Sequence, residues 1–390
     1  MKLANRIDHM TGGTPDGWEI YYRTRDMIAA GEKILNLTIG EHDVKTDRAI
    51  LDAMHGSAVR GNTGYSFGEG NVALREEIAG RVAARTGVPT TAQNVMVTTG
   101  GQAALFTSHM VLLDAGDRAL FCDPYYTTYP GTIRATGAVA VAVPTRSSED
   151  FQPQEAAISS VAQGAKTLLI NTPNNPTGTV YSRQTLEGIA RAVKAHDLWL
   201  ISDEVYDTQV WDGEHLSPRT LPGMAERTVV VGSMSKSHAM TGSRLGWVIA
   251  PEPVIRAIAA LATNMTYGVP AFIQDAALFA LRRGEGFEAE VAAPFRRRRE
   301  IAARVLKGAN AIRVIPAQGA MYLMLDIRAT GLSGKEFAVR LLEEERIAVM
   351  PGESFGQSAA GHLRVAMTID DERFEEALTR LAAFAERLLP

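Results

Sequence analysis

Short apolar runs alternate with helix-length stretches through the middle of this 390-residue chain. Between about residues 94 and 250 the runs are Val95–Thr98, Arg118–Cys122, Ala138–Val143, Thr167–Ile170, Leu198–Ile201, Thr228–Val231 and Leu245–Ile249. Most are continuously apolar rather than alternating, the pattern of strands buried on both faces. Stretches such as Gln102–Leu113 and Ser182–His196 lie between them and have helical length. The spacing predicts seven strands in one large, mostly parallel α/β sheet with helices on both faces. The connection from Cys122 to Ala138 reads as helix-free, which leaves room there for an antiparallel member.

Beyond Pro251 the pattern changes. A helical region begins near Pro270, breaks at Gly284 and Gly286, and resumes as a second helix over Phe295–Gly308. The run Arg296–Arg299 is expected to face water, because four consecutive residues circle a helix without making a patch. Strand patterns at Ala320–Asp326, Ile347–Met350 and His362–Met367 mix with helices at Ser333–Glu345 and Asp371–Leu388, predicting a smaller α+β domain. Near the start, a helix at Trp18–Ala30 and a strand at Ile34–Ile39 are too little for a domain and should pack against the C-terminal part. The expected division is a segment over residues 1–45, a large domain over 46–285 and a small one over 286–390.

Composition narrows the function. With 46% hydrophobic and 22% charged residues the chain is ordinarily globular. A net charge of −4 offers no field for nucleic acid or an anionic membrane. One cysteine, Cys122, excludes an intramolecular disulfide and fits a reducing compartment. The first residues have no signal-peptide core, and the apolar runs are far below the ~20 residues that span a bilayer. A cytoplasmic protein is expected.

Four features sit at predicted strand ends, where open α/β sheets bind ligands. Thr98-Thr-Gly-Gly-Gln102 opens a helix, and glycines with free N–H groups there suit an anion, although many such turns bind nothing. Asp203 closes one strand, as a helix cap or as the partner of a cation or protonated ring nitrogen. Asn171-Thr-Pro-Asn-Asn175-Pro-Thr-Gly178 follows another strand and by itself reads as a turn. Ser233-Met-Ser-Lys236 then places an amine after the apolar run Thr228–Val231, with Arg244 eight residues later. A lysine there suits a Schiff base with an aldehyde cofactor, and the arginine a phosphate.

Together Asn175-Pro-Thr-Gly178, Asp203-x-x-Tyr206 and Ser233-x-Ser-Lys236 with Arg244 resemble the class I/II aminotransferases, pyridoxal-phosphate enzymes of fold type I. The similarity runs from about Ile34 to Met367. It implies that Lys236 anchors the cofactor and carries the proton between the substrate α-carbon and the cofactor C4′. Asp203 would pair with the pyridinium nitrogen; Asn175 and Tyr206 would hold the 3′ oxygen. Gly101, Gln102, Ser233 and Arg244 would surround the phosphate, and Tyr125 would stack on the ring. Arg364 would take the substrate α-carboxylate, helped by Gly40 and Asn175. Tyr65 would reach the partner subunit's phosphate in a homodimer with shared sites, with Asn264–Pro270 near the other site. No metal is implied.

Several positions depart from the family pattern. Gln102 stands where acid-selective members commonly carry lysine, and His42 where proline is common. The implied activity is therefore transfer of an amino group from a broad, aromatic or neutral L-amino acid to a 2-oxo acid by a ping-pong route. Aspartate transamination or β-eliminating C–S lysis on the same scaffold is the alternative. A non-enzymatic regulator would need a preceding helix-turn-helix domain, for which about 33 residues leave little room. His9, His55, His109, His196, His215 and His362 show no ligand spacing, and His238 is expected to pack near the cofactor without moving a proton.

Overall fold

The computed structural model describes residues 5–8, 10, 17–66 and 68–389. In chain order the strands are β1 (Leu35–Asn36), β2 (Val95–Thr98), β3 (Arg118–Asp123), β4 (Val139–Pro144), β5 (Ala165–Asn171), β6 (Trp199–Asp203), β7 (Thr228–Ser233), β8 (Gly246–Ile249), β9 (Arg313–Val314), β10 (Tyr322–Asp326), β11 (Ile347–Ala348), β12 (Met350–Pro351) and β13 (His362–Ala366).

Seven of them form one sheet in the order β2-β8-β7-β6-β5-β3-β4. Neighbouring residues on its central strands serve opposite faces, which is why the runs are continuously apolar. Leu169, Ile201 and Val229 pack beneath helices Gly101–Leu112 and Glu252–Thr263. Leu168 and Leu200 join helix Arg183–Ala195 on the other side. Val95, Val97 and Ile249 pack against helices Val72–Thr86 and Ala271–Leu281.

The antiparallel member is not where the sequence suggested. β3 and β4 are parallel, because helix Tyr129–Arg134 carries the chain back between them. Its proline stands in the first turn, where a missing N–H costs nothing, so the segment is helical despite its Pro-Gly pair. β8 runs antiparallel to both β7 and β2. Residues 234–245 join it to β7 with only a four-residue helix and a 3-10 turn, which return the chain beside β7 without a crossover helix across the sheet.

The second sheet is four-stranded and antiparallel, in the order β12-β13-β10-β9. Helices Gly334–Glu345 and Asp371–Glu386 cover it, meeting through Phe337 and Phe384 with ring centroids 5.1 Å apart. Ser333 and Glu336 form a reciprocal cap at the start of the first helix, and Asp370 caps the second. β1 joins β11 in a separate parallel pair, docking the N-terminal segment on this C-terminal unit. The helix expected to restart at Phe295 instead runs unbroken over Gly284–Val305, through Pro294, with Phe295, Arg298 and Ala302 on its buried side. Among the described residues, no helix is long and apolar enough to cross a membrane.

Candidate active site

Strands β5, β6 and β7 end together, and their last residues, Asn171, Asp203 and Ser233, line one cavity of about 260 Å³. Its walls also include Gly101 and Gln102 from the start of a helix, Lys236 from the short helix Met234–Ser237, Tyr206, Arg244 and Asn175 from loops, and Tyr322 and Arg364 from the smaller sheet. Gly40, from the segment after β1, completes the rim.

Three cations face this space, and none forms an ion pair with a described carboxylate. Lys236 Nζ donates to the Gly40 carbonyl. Burial depresses its pKa; Arg364 and Arg244 push the same way, against Tyr322 and Glu41. Arg364 is 1% exposed. It donates to Asn175 Oδ1 at 3.0 Å and to the Thr38 carbonyl, while its Nε finds no acceptor. The guanidinium lies between the rings of Tyr322 and Phe355, 4.6 and 4.4 Å from their centroids. Such stacking supports the cation without neutralising it. Arg244 donates to the Thr241 carbonyl and lies against Gly100, where a Cβ would collide with the guanidinium. Gly100 has a φ of 83° and directly precedes the helix whose free N–H groups open at Gly101.

Opposite them is one buried carboxylate. Burial pushes Asp203 up to about 6, while the Tyr129 hydroxyl, donating to Oδ2 at 2.6 Å, favours the charged form. Asn171 donates to the Asp203 carbonyl at 2.9 Å and accepts from the Asn175 backbone N–H at 2.7 Å. Asn174 Oδ1 binds the Thr177 hydroxyl at 2.8 Å, so the loop is braced by its own side chains. The Tyr206 hydroxyl pairs with that of Tyr322 at 3.0 Å. Gln102 Oε1 accepts from Thr128 at 3.0 Å.

Comparison with known proteins agrees with this arrangement. The family described as aminotransferase class I and II matches residues 32–381. An arginine–pyruvate transaminase of Pseudomonas aeruginosa is 40% identical over 390 residues, covering 100% of this chain and 99% of that protein. An aspartate/prephenate aminotransferase of Thermus thermophilus is 35% identical over 359 residues, 90% of this chain and 91% of that one. The solved structure of Thermus thermophilus aspartate aminotransferase with maleate superposes over 100% of both chains, with a TM-score of 0.92 and 32% identity.

The chain belongs to the class I and II aminotransferases.

It is a pyridoxal-phosphate-dependent enzyme of fold type I. Gly40, Gly101, Gln102, Asn175, Asp203, Tyr206, Ser233, Lys236, Arg244 and Arg364, all singled out in the sequence, come together in the aminotransferase's cavity. Tyr125 does not line it. Its ring packs edge-on against Phe121 at 4.9 Å, and the next residue, Tyr126, lines the cavity instead. Tyr65 lies elsewhere, 83% exposed, with its ring 5.6 Å from that of Tyr267; Phe67 beside it is outside the described residues. His238 turns away from the cavity toward Phe287 and Glu288, and burial lowers its pKa to about 4. His9 is outside the described residues. Among those described, no group of three or more His, Cys, Asp or Glu could hold a metal ion.

The sequence reading missed Tyr126, Tyr129 and Tyr322. Asp123-Pro-Tyr-Tyr marked the region of the first, but adjacent tyrosines point different ways and only the backbone decides which. Tyr322 was legible only as a strand residue. Arg298 was expected in water and is 2% exposed. Four arginines do circle the helix, so one of them must face the protein.

Proposed function

We propose that this aminotransferase moves the α-amino group of an L-amino acid to a 2-oxo acid in two half-reactions, with donors that are broad, aromatic or neutral rather than dicarboxylic. The observation that carries it is the charge pattern of the cavity: Lys236, Arg244 and Arg364 without paired carboxylates, facing the single buried acid Asp203. Cations that line a cavity without carboxylate partners, Arg364 among them fully buried, suit a ligand that brings its own anions, here a phosphate and a carboxylate.

Pyridoxal phosphate fits that donor set and would supply an electron sink for the pair left when the substrate Cα–H bond breaks. Arg244, Ser233, Gln102 and the N–H groups from Gly101 would hold its phosphate. Asp203, whose charged form the Tyr129 hydroxyl favours against burial, would face the ring nitrogen, and Asn175 and Tyr206 the 3′ oxygen. Tyr126, in place of Tyr125, would cover the ring. Lys236 Nζ, with its pKa depressed by burial, would take the Cα proton and return it at C4′. Arg364, held by Asn175, would fix the α-carboxylate and so the direction of the bond that breaks. Tyr65 and the segment Asn264–Pro270 would meet the partner's site in a homodimer; the exposure of Tyr65 supports that role. Residues 46–285 would form the cofactor domain, with 1–45 and 286–390 closing on it. A cytoplasmic location accords with the lone buried Cys122.

Donor choice rests on Gln102, because a neutral amide bonded to Thr128 cannot neutralise a second carboxylate. The same site does not exclude a cationic donor, and the 40% relative is named for arginine and pyruvate. Neutral, aromatic, basic and acidic donors should be assayed with pyruvate and with 2-oxoglutarate, measuring the amino acid formed. Reaction of aspartate and glutamate alone would sink the donor assignment. Continuous release of ammonia and pyruvate without an acceptor would make the enzyme a lyase.

A further inference from the structure

One part of the cavity's rim, at Ile39 and Gly40, belongs to a stretch of chain that runs between the two sheets. β1 lies on the C-terminal unit, and helix Arg48–Val59 packs on the large sheet's side; residues 37–47 join them. Along that stretch the anchors fall at close intervals. The Leu37 N–H donates to Ala348 and its carbonyl accepts from Ala366, at 2.8 and 2.9 Å. The Ile39 carbonyl accepts from the Thr368 hydroxyl at 2.8 Å. Gly40 follows, accepting from Lys236 Nζ and lying so close to Tyr322 that a Cβ would collide with its hydroxyl. His42 is buried edge-on against Phe295 at 5.2 Å. Asp43 is then gripped by Arg298, whose two terminal nitrogens donate to its two oxygens at 3.0 and 2.6 Å.

Arg298 uses its other donors on the C-terminal unit: Nε on Asp371 at 2.9 Å and Nη1 on the Met367 carbonyl at 2.9 Å. One guanidinium with every nitrogen engaged therefore ties the rim to the first residue of helix Asp371–Glu386 and to the end of β13, the strand that carries Arg364. A bidentate fork fixes direction as well as distance. Without it, the next side-chain hydrogen bonds after Gly40 would belong to the large unit, through Glu41 with Thr241 or Thr46 with the Ala239 carbonyl, leaving only the His42–Phe295 ring contact to the other side.

We propose that Arg298 is a positioning residue which, through Asp43, holds Gly40 in register with Lys236 and Arg364, so that donor binding depends on a clamp outside the cavity. The proposal rests on the reading of the cavity as the aminotransferase site. Arg298 touches no reacting atom; it sets where the rim stands. The rim beyond Gly40 then follows the C-terminal unit, so that unit and the substrate pocket move together.

The test uses Asp43→Asn, which leaves Arg298 its bonds to Asp371, and Arg298→Met, with Arg298→Lys as the conservative variant and Arg297→Ala as control. Two readouts are taken. In the cofactor-loaded enzyme, Asp43→Asn and Arg298→Met should raise the donor KM about tenfold with kcat within about threefold, and Arg298→Lys should restore part of the loss. In the cofactor-free protein, trypsin should nick at exposed Lys45 about tenfold faster in both variants, because the segment opens locally. Arg297→Ala should match wild type in both. Unchanged KM and unchanged nicking in Asp43→Asn and Arg298→Met would overturn the clamp. A fall in kcat with unchanged KM would overturn it too, by placing the effect on the chemical step. Wild-type enzyme that transfers no amino group from any donor overturns the reading of the cavity itself, whatever the nicking shows.

Discussion

Arg298 and Arg364 are almost equally hidden, at 2% and 1% exposure, yet they are buried on opposite terms. Arg298 meets two carboxylates and a carbonyl with every nitrogen engaged. Those partners hold its pKa above the usual range, although burial alone would lower it. Arg364 meets an amide oxygen, a carbonyl and two aromatic faces, and burial lowers its pKa. A fold gains little from a buried charge that lacks a counter-ion. The difference teaches how to separate a structural cation from a functional one: the first is paid for within the chain, the second is completed by what binds.

Lys236 is the extreme of the second kind, and its removal should have the largest effect. Lys236→Ala should lower kcat on the order of 10⁴-fold, the upper range for losing a positioned proton carrier. Borohydride reduction followed by mass measurement should then find no cofactor joined to the protein, whereas wild type gains its mass. Arg364→Met comes next and breaks the comparison most directly. We expect kcat/KM to fall about 10³-fold, roughly 4 kcal/mol, as when one partner of a buried charge pair is truncated. The urea midpoint of the cofactor-free protein should stay level or rise, because an uncompensated charge has been replaced by an apolar chain. A marked loss of stability would mean Arg364 is structural after all.

Asp203 extends the comparison to an anion. Its folded pKa of about 6 against an ordinary 3.8 means that between those values the native state holds a proton the unfolded chain has released. Stability therefore falls as pH rises through that window, and the whole penalty is present above it. Asp203→Asn should remove up to about 3 kcal/mol of that penalty at pH 7.5 and flatten the pH dependence of the cofactor-free protein's unfolding. Activity should be lost. Equal stability of the two proteins at pH 4 and pH 7.5 would show that burial is not what sets Asp203.

Much of this was legible beforehand, and for a physical reason. Strands buried on both faces write continuous apolar runs, and ligand residues in such sheets follow the strand ends, so Asp203, Ser233 and Asn175 announced themselves. Orientation was not written there. Whether Tyr125 or Tyr126 enters the cavity depends on one backbone rotation, and composition says nothing about it. The position of the antiparallel strand was misread because a proline-containing segment still forms a first helical turn. Arg298 lay hidden among three identical neighbours, and its two carboxylates are 255 and 73 residues away.

Those neighbours supply the smallest and most discriminating prediction. Asp371 is held by two adjacent arginines: Arg297 Nε at 2.8 Å and Arg298 Nε at 2.9 Å. Distance alone would rank them equal. Arg297 is 55% exposed, so water already solvates its charge and salt screens the pair. Arg297→Ala should cost less than about 0.5 kcal/mol by urea denaturation, and less still at high salt. Arg298→Met should cost about 2 kcal/mol, below the roughly 3–5 kcal/mol of a fully buried broken pair because Asp43 and Asp371 keep some access to water. If the two variants lose the same stability, burial is not what separates these arginines. The contrast between Arg298 and Arg364 would then have to rest on geometry alone.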